Sequence, residues 1–171
     1  MLICLTGMAG CGKSTIGRPL AQRLNVPLFD SDEIISERFD GRPPSEIFAV
    51  FGEEAFRDVE KQVVIQTIAE QEIGILSLGG GALDDHETAE AVFTRTHSIW
   101  IDVPEDILWQ RIEPKLAERP MFQGDDPRAK LNGLIARRSP IYRRASHRLE
   151  VSDNDAMHAV DEIIKVLEKE A

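Results

Sequence analysis

Apolar positions along the chain follow two alternating rhythms. Short apolar runs at Leu2 to Leu5, Ile73 to Leu78, Ser98 to Val103 and Leu149 to Val151, with a shorter one at Leu28-Phe29, suit buried strands. Between them apolar residues recur at helical spacing. Ile16, Leu20, Ala21 and Leu24 follow the first run. Phe56, Val63, Val64 and Ile68 share one face of a helix from about Glu53 to Glu70, and Val160, Ile163, Ile164 and Leu167 do the same in the last one. Such alternation predicts an α/β fold built on a parallel sheet. Pro19 falls inside the first helix and removes the N–H that would bond the Thr15 carbonyl, so a kink is expected there.

The loops leaving the strands carry the polar and glycine clusters. The first strand runs into Gly7-Met8-Ala9-Gly10-Cys11-Gly12-Lys13-Ser14, a phosphate-binding loop in its expected strand-to-helix context. Glycine lets the backbone N–H groups close around phosphate oxygens, and the helix start adds a positive dipole end. Gly10, Cys11, Gly12, Lys13, Ser14 and Thr15 are the expected donor-phosphate site. Within it Lys13 reaches the β- and γ-phosphates, and the Ser14 hydroxyl ligates Mg²⁺. The second strand delivers Asp30-Ser31-Asp32 and the third Gly79-Gly80-Gly81. In open α/β sheets ligands bind outside the carboxyl ends of the strands, so these three clusters are expected at one site.

Composition narrows the function classes. A chain of 171 residues is read as one domain, residues 1–171, with enough length for a real core. The apolar run before the loop is too short for a signal peptide, and no stretch approaches the ~20 apolar residues of a membrane span. Two cysteines, Cys4 and Cys11, are too few for a disulfide frame, so a soluble cytoplasmic protein is expected. The net charge of −10 argues against a nucleic-acid partner. From Arg111 to Arg148, however, ten Lys or Arg face four Asp or Glu, a local balance of +6 that leaves −16 for the rest. A basic segment on an acidic chain suits capture of small anions, while Arg143-Arg144 reads as a solvated helix face. His86, His97, His147 and His158 lack metal-ligand spacing.

Several residues can be read by their chemistry. Asp30 and Asp32 are two apart, so on an extended strand end both carboxylates point to one side. Alternatively, Asp30 or Ser31 caps a helix beginning near Asp32. Arg57 and Glu60 stand three apart on one helix face, the spacing of a surface ion pair. Gly79-Gly80-Gly81 can form a tight turn, or offer bare backbone and N–H groups to a ligand. Arg119 lies in Glu118-Arg119-Pro120-Met121-Phe122-Gln123-Gly124, a segment without clean period that suits a mobile lid.

Taken together, the loop, Asp30-Ser31-Asp32, Glu54-Ala55-Phe56-Arg57-Asp58-Val59-Glu60, Leu76-Ser77-Leu78-Gly79-Gly80-Gly81-Ala82-Leu83, Arg119-Pro120 and Arg138-Ser139-Pro140-Ile141-Tyr142 resemble the shikimate kinase family, in order over about residues 1–151. The resemblance implies a three-layer P-loop NTPase fold: a five-stranded parallel sheet between helices, like the nucleoside monophosphate kinases. A mobile lid is implied at about 112–126 and acceptor-binding helices at about 32–62. It implies a monomer that transfers the γ-phosphoryl of Mg²⁺-ATP to the 3-hydroxyl of shikimate. By the same resemblance Asp30 joins Ser14 on the metal side, and Asp32 takes the acceptor hydroxyl as hydrogen-bond acceptor and base. Arg57 and Arg138 bind the acceptor carboxylate, with Glu60 and Gly79, Gly80 and Gly81 completing the pocket and Phe48 and Phe56 beside the ring. Arg119 closes over the transferring phosphoryl and Arg111 stacks on adenine. Lys13, Asp32 and Arg119 are thus the expected catalytic residues. Pro43-Pro44 stands where the family commonly has serine-isoleucine, and Asp153-Asn154-Asp155-Ala156 departs from its adenine-loop pattern. The competing readings are another small-molecule kinase of this fold, such as a gluconate kinase, and a catalytically silent nucleotide-binding regulatory module.

Overall fold

Five parallel strands make one sheet, with β1 (Leu2–Thr6) at its centre. The computed structural model describes residues 1–122, 124–152 and 155–170. In chain order β1 is followed by α1 (Lys13–Leu24), β2 (Leu28–Asp30), α2 (Ser31–Arg38), α3 (Pro44–Glu70) and β3 (Gly74–Ser77). Then come α4 (His86–Arg95), β4 (His97–Asp102), α5 (Glu105–Ile112), α6 (Pro127–Tyr142), β5 (His147–Glu150) and α7 (Ala156–Glu170). The spatial order is β2-β3-β1-β4-β5, with Leu5 beside Ser77 on one flank and Ile99 on the other. The path from β1 goes first to one side and later to the other, so the loop after β1 lies at the switch point where α/β sheets bind ligands.

The strands form because β1 and β3 are buried on both faces, as their unbroken apolar runs require. Leu5, Ile75, Leu76, Ile99 and Ile101 make the centre of the core, and Leu20, Val64, Val92 and Val160 seal it from the helices. A second, smaller cluster of Ile35, Ile47, Phe56 and Val63 holds α2 against α3. No helix among the described residues is long and apolar enough to cross a membrane.

Helix α1 runs through Pro19 to Leu24, ending on Asn25 in the left-handed conformation. One local expectation changes: α3 carries an interruption at Gly52, with φ 85° and ψ 166°, so the helix predicted from Glu53 has a separate preceding segment from Pro44. Pro44 occupies the first helical position, where its missing N–H costs nothing. The expected lid residues form 3-10 turns at Glu113–Glu118 and Pro120–Phe122, with Phe122 fully buried.

Candidate active site

Glycine at three loop positions has a direct structural cause. Gly7, Gly10 and Gly12 have φ of 144°, 82° and 96°, conformations other residues rarely adopt. A Cβ on Gly7 would also lie 2.6 Å from the Ile101 carbonyl oxygen. The loop wraps so tightly that Lys13 Nζ donates to the Gly7 and Met8 carbonyls at 2.8 and 3.0 Å. Cys11 is a buried filler beneath it. Arg111 Nη1, from the end of α5, donates to the Gly10 carbonyl at 3.2 Å and so lies against the loop.

Asp30 does two things at once. Its Oδ1 accepts from the N–H groups of Asp32 and Glu33, capping α2, while Oδ2 accepts from the Ser14 hydroxyl at 2.5 Å. The expectation that Asp30 and Asp32 share an extended strand end is therefore corrected. The cap turns the chain into helix at Ser31, so β2 contributes Asp30 and the first turn of α2 contributes Asp32. Ser31, fully buried, accepts from the Gly79 N–H at 2.9 Å and ties this turn to the triple glycine.

None of Gly79, Gly80 and Gly81 has a positive φ, so a strained turn does not explain them. Close approach does. An added Cβ at Gly79 would collide with the carboxylate of Glu60 and lie 3.0 Å from Asp32; at Gly80 it would lie 2.8 Å from the Ala9 backbone nitrogen. At Gly81 it would meet the Arg57 guanidinium at 2.6 to 2.8 Å. The glycines thus press acceptor-side groups and the phosphate loop together.

Arg57 and Glu60 form the expected pair, Nη1 to Oε2 at 2.5 Å, with Glu60 buried. The Arg57 guanidinium also lies over Phe48 and Phe56, 5.6 and 5.4 Å from the ring centroids, so its fork is held by stacking as well as charge. Arg138 is buried beside the cleft rather than in its described lining. Its Nε and Nη2 engage Asp84 at 3.0 and 2.7 Å, and its Nη1 is buried without a hydrogen bond. One turn on, Tyr142 donates to the Gly80 carbonyl at 2.8 Å.

A cleft of about 680 Å³ runs across these elements. Lys13, Ser14 and Thr15 of the loop line it, together with Asp32, Phe48, Arg57 and Glu60 and with Val151, Asp155 and Ala156. Arg111, Arg119 and Met121 line it from α5 and the following turns, and Pro44 and Ser45 from α3. Of the Pro43-Pro44 pair, Pro44 therefore lines the cleft. Asp153 and Asn154 of the expected adenine loop lie outside the described residues.

Charges in the cleft are strongly perturbed. Burial pushes the Asp32 carboxyl above the ordinary range and Asp30 pushes it further, while Lys13, Arg57 and Arg119 pull the other way. Burial also raises Glu60 against the opposing pull of Arg57. Elsewhere the basic segment is largely paired: Arg128 with Glu105, Arg144 with Glu90 and Arg148 with Asp102. From this segment Arg111, Lys115 and Arg119 line the cleft, and Arg138 is buried beside it.

Sequence reading missed Ser31, Asp84 and Tyr142. Tyr142 stands four residues after Arg138, hence on the same helical face, and that spacing was a usable signal. Asp84 reads as one of two loop aspartates and gave none.

A family model described as shikimate kinase matches residues 9–168. A shikimate kinase of Zymomonas mobilis is 41% identical over 96% of this chain and 92% of its own length. One from Nitrobacter winogradskyi is 40% identical over 98% of this chain and 77% of its own. Among solved structures, shikimate kinase from Acinetobacter baumannii in complex with shikimate superposes with a TM-score of 0.91 at 30% identity, covering 99% of this chain and 93% of that one. Deoxyadenosine kinase from M. mycoides, 16% identical with a TM-score of 0.60, shares the fold alone. With the match running through both ends of the cleft, from the phosphate loop to the glycine and arginine segments, the chain belongs to the shikimate kinase family.

Proposed function

We propose that this chain transfers the γ-phosphoryl of ATP to the 3-hydroxyl of shikimate, giving ADP and shikimate 3-phosphate. The observation that carries the reading is the Arg57 guanidinium, fixed by Glu60 and two phenylalanine rings in the same cleft that the nucleotide loop lines. A planar fork suits a carboxylate, and a neutral polyol has no use for it.

In this reading the glycine loop and Lys13 hold the donor phosphates, and Arg57 and Arg138 orient the acceptor acid. Asp32 accepts the proton of the attacking hydroxyl. Its raised pKa brings it toward the working pH, which suits a general base. Arg119 lies close enough for its charge to reach Asp32 and line the cleft, which supports a role on the transferring phosphoryl. Phosphoryl transfer asks mainly for positioning and charge stabilisation, so these groups suffice.

Ser14 and Asp30 form a hydroxyl and carboxylate pair beside the loop, with the Ser77 hydroxyl 3.5 Å from Ser14. That donor set fits Mg²⁺, which takes one or two protein oxygens plus substrate phosphates and waters. When bound there, the ion neutralises charge on the phosphate oxygens. The ATP requirement supports a cytoplasmic setting.

Coupled measurement of ADP release with shikimate, gluconate, AMP and no acceptor tests the reading. Release that depends on shikimate is expected; equal release without any acceptor would reject it.

A further inference from the structure

Arg138 lies buried beside the cleft, near enough for its charge to act on Glu60, with the Nε and Nη2 side of its fork already committed. Its Nε and Nη2 form a two-point contact with Asp84, and Asp84 Oδ2 also accepts from the exposed Arg137 at 2.8 Å. Burial pushes the Asp84 carboxyl up, but the hydrogen bonds and charge of Arg138, with Arg137 and Arg57, hold it below the ordinary range, so it stays ionised. Asp84 ends the turn Ala82–Asp84 that follows the triple glycine, and its N–H bonds the Gly81 carbonyl at 3.0 Å. The contact therefore anchors an arginine of α6 to the backbone of the acceptor loop. It leaves Nη1 as a buried donor with no partner in a side chain 2% exposed. A guanidinium cannot give up its proton, so that donor is costly unless an acceptor meets it.

Resting on the shikimate reading above, we propose that Asp84 is a positioning residue for substrate specificity: it pins the Arg138 fork so that Nη1 is presented to the acceptor carboxylate. Arg138 then offers a single oriented donor, and Arg57 supplies the second. Loss of Asp84 frees the guanidinium to turn toward Glu60, a buried carboxylate within reach of its charge. Acceptor binding then weakens while donor binding and chemistry are kept.

The test is steady-state kinetics of Asp84→Ala and Asp84→Asn, alone and combined with Arg138→Ala. Asp84→Ala is expected to raise the shikimate KM about tenfold with kcat and the ATP KM nearly unchanged, a split a general packing defect would not give. Asp84→Asn, which keeps shape and one acceptor oxygen, is expected to show a smaller rise and serves if the alanine variant fails to fold. In the Arg138→Ala background neither change should raise KM further, because Asp84 acts through Arg138. A shikimate KM within about twofold of wild type in the single variants, or an equal rise with and without Arg138, overturns the proposal. The wild type is the control for the underlying reading: failure of wild type to phosphorylate shikimate rejects the reading, whereas activity with insensitive Asp84 variants rejects only the positioning role.

Discussion

The Ser14 hydroxyl donates to Asp30 Oδ2 at 2.5 Å while the other oxygen of the same carboxylate caps α2. The helix cap and the proposed Mg²⁺ site thus share one side chain. Asp30→Asn retains a capping oxygen and loses the charge, so melting should shift little while the Mg²⁺ concentration for half-maximal activity rises. Asp30→Ala should lose both, with about 1 kcal/mol of stability gone with the cap. Thermal melts beside Mg²⁺ titrations of activity separate the two.

Gly80 and Gly133 make a contrasting pair. A Cβ on Gly80 would press on the backbone of Ala9, which is part of the phosphate loop and cannot yield as a side chain can. Gly80→Ala should cost about 1–3 kcal/mol and raise KM for both ATP and shikimate. Gly133 lies inside α6 with open space around it, so Gly133→Ala should stabilise by about 0.5–1 kcal/mol and leave activity alone. Denaturant melts with parallel kinetics check both.

Asp32 is held above the ordinary carboxylate value of 3.8 chiefly by burial, and Glu60 is raised for the same reason. A carboxyl whose folded pKa exceeds its unfolded one favours the protonated fold. Its contribution is therefore full below the unfolded value and lost as pH rises through the folded value. Asp32→Asn should then be more stable than wild type at neutral pH, by about 1 kcal/mol or roughly 2–4 °C, yet inactive. Wild-type kcat should fall on the acid side at a pH above 3.8 as Asp32 takes up its proton. Asp84 has the opposite sign: its stabilisation is present above 3.8 and lost as pH falls through its lowered value.

Arg119 lines the cleft and its charge reaches Asp32. Arg119→Ala should lower kcat by ~10³ or more with a much smaller effect on shikimate KM, since its partner charge develops during transfer. Single-turnover rates check this without interference from product release.

How much of this was legible beforehand follows physical lines. Signals local in sequence carried through: apolar runs marked all five strands, and the loop glycines declared their own backbone strain. The i,i+3 spacing of Arg57 and Glu60 gave their contact. Properties set by tertiary packing did not show. Nothing in Asp84 announces a buried arginine 54 positions away. The triple glycine allows either a turn or bare backbone offered to a ligand, and only the packed structure shows the close approach of Glu60, Ala9 and Arg57. The break at Gly52 in α3 likewise does not show in the apolar spacing.

The most direct test of the account is a crystal structure of this chain with shikimate bound. The account predicts the acid's carboxylate within hydrogen-bond distance of both the Arg57 fork and Arg138 Nη1, with the 3-hydroxyl against the Asp32 carboxylate. A bound shikimate whose carboxylate meets neither arginine, or whose 3-hydroxyl lies away from Asp32, would contradict it.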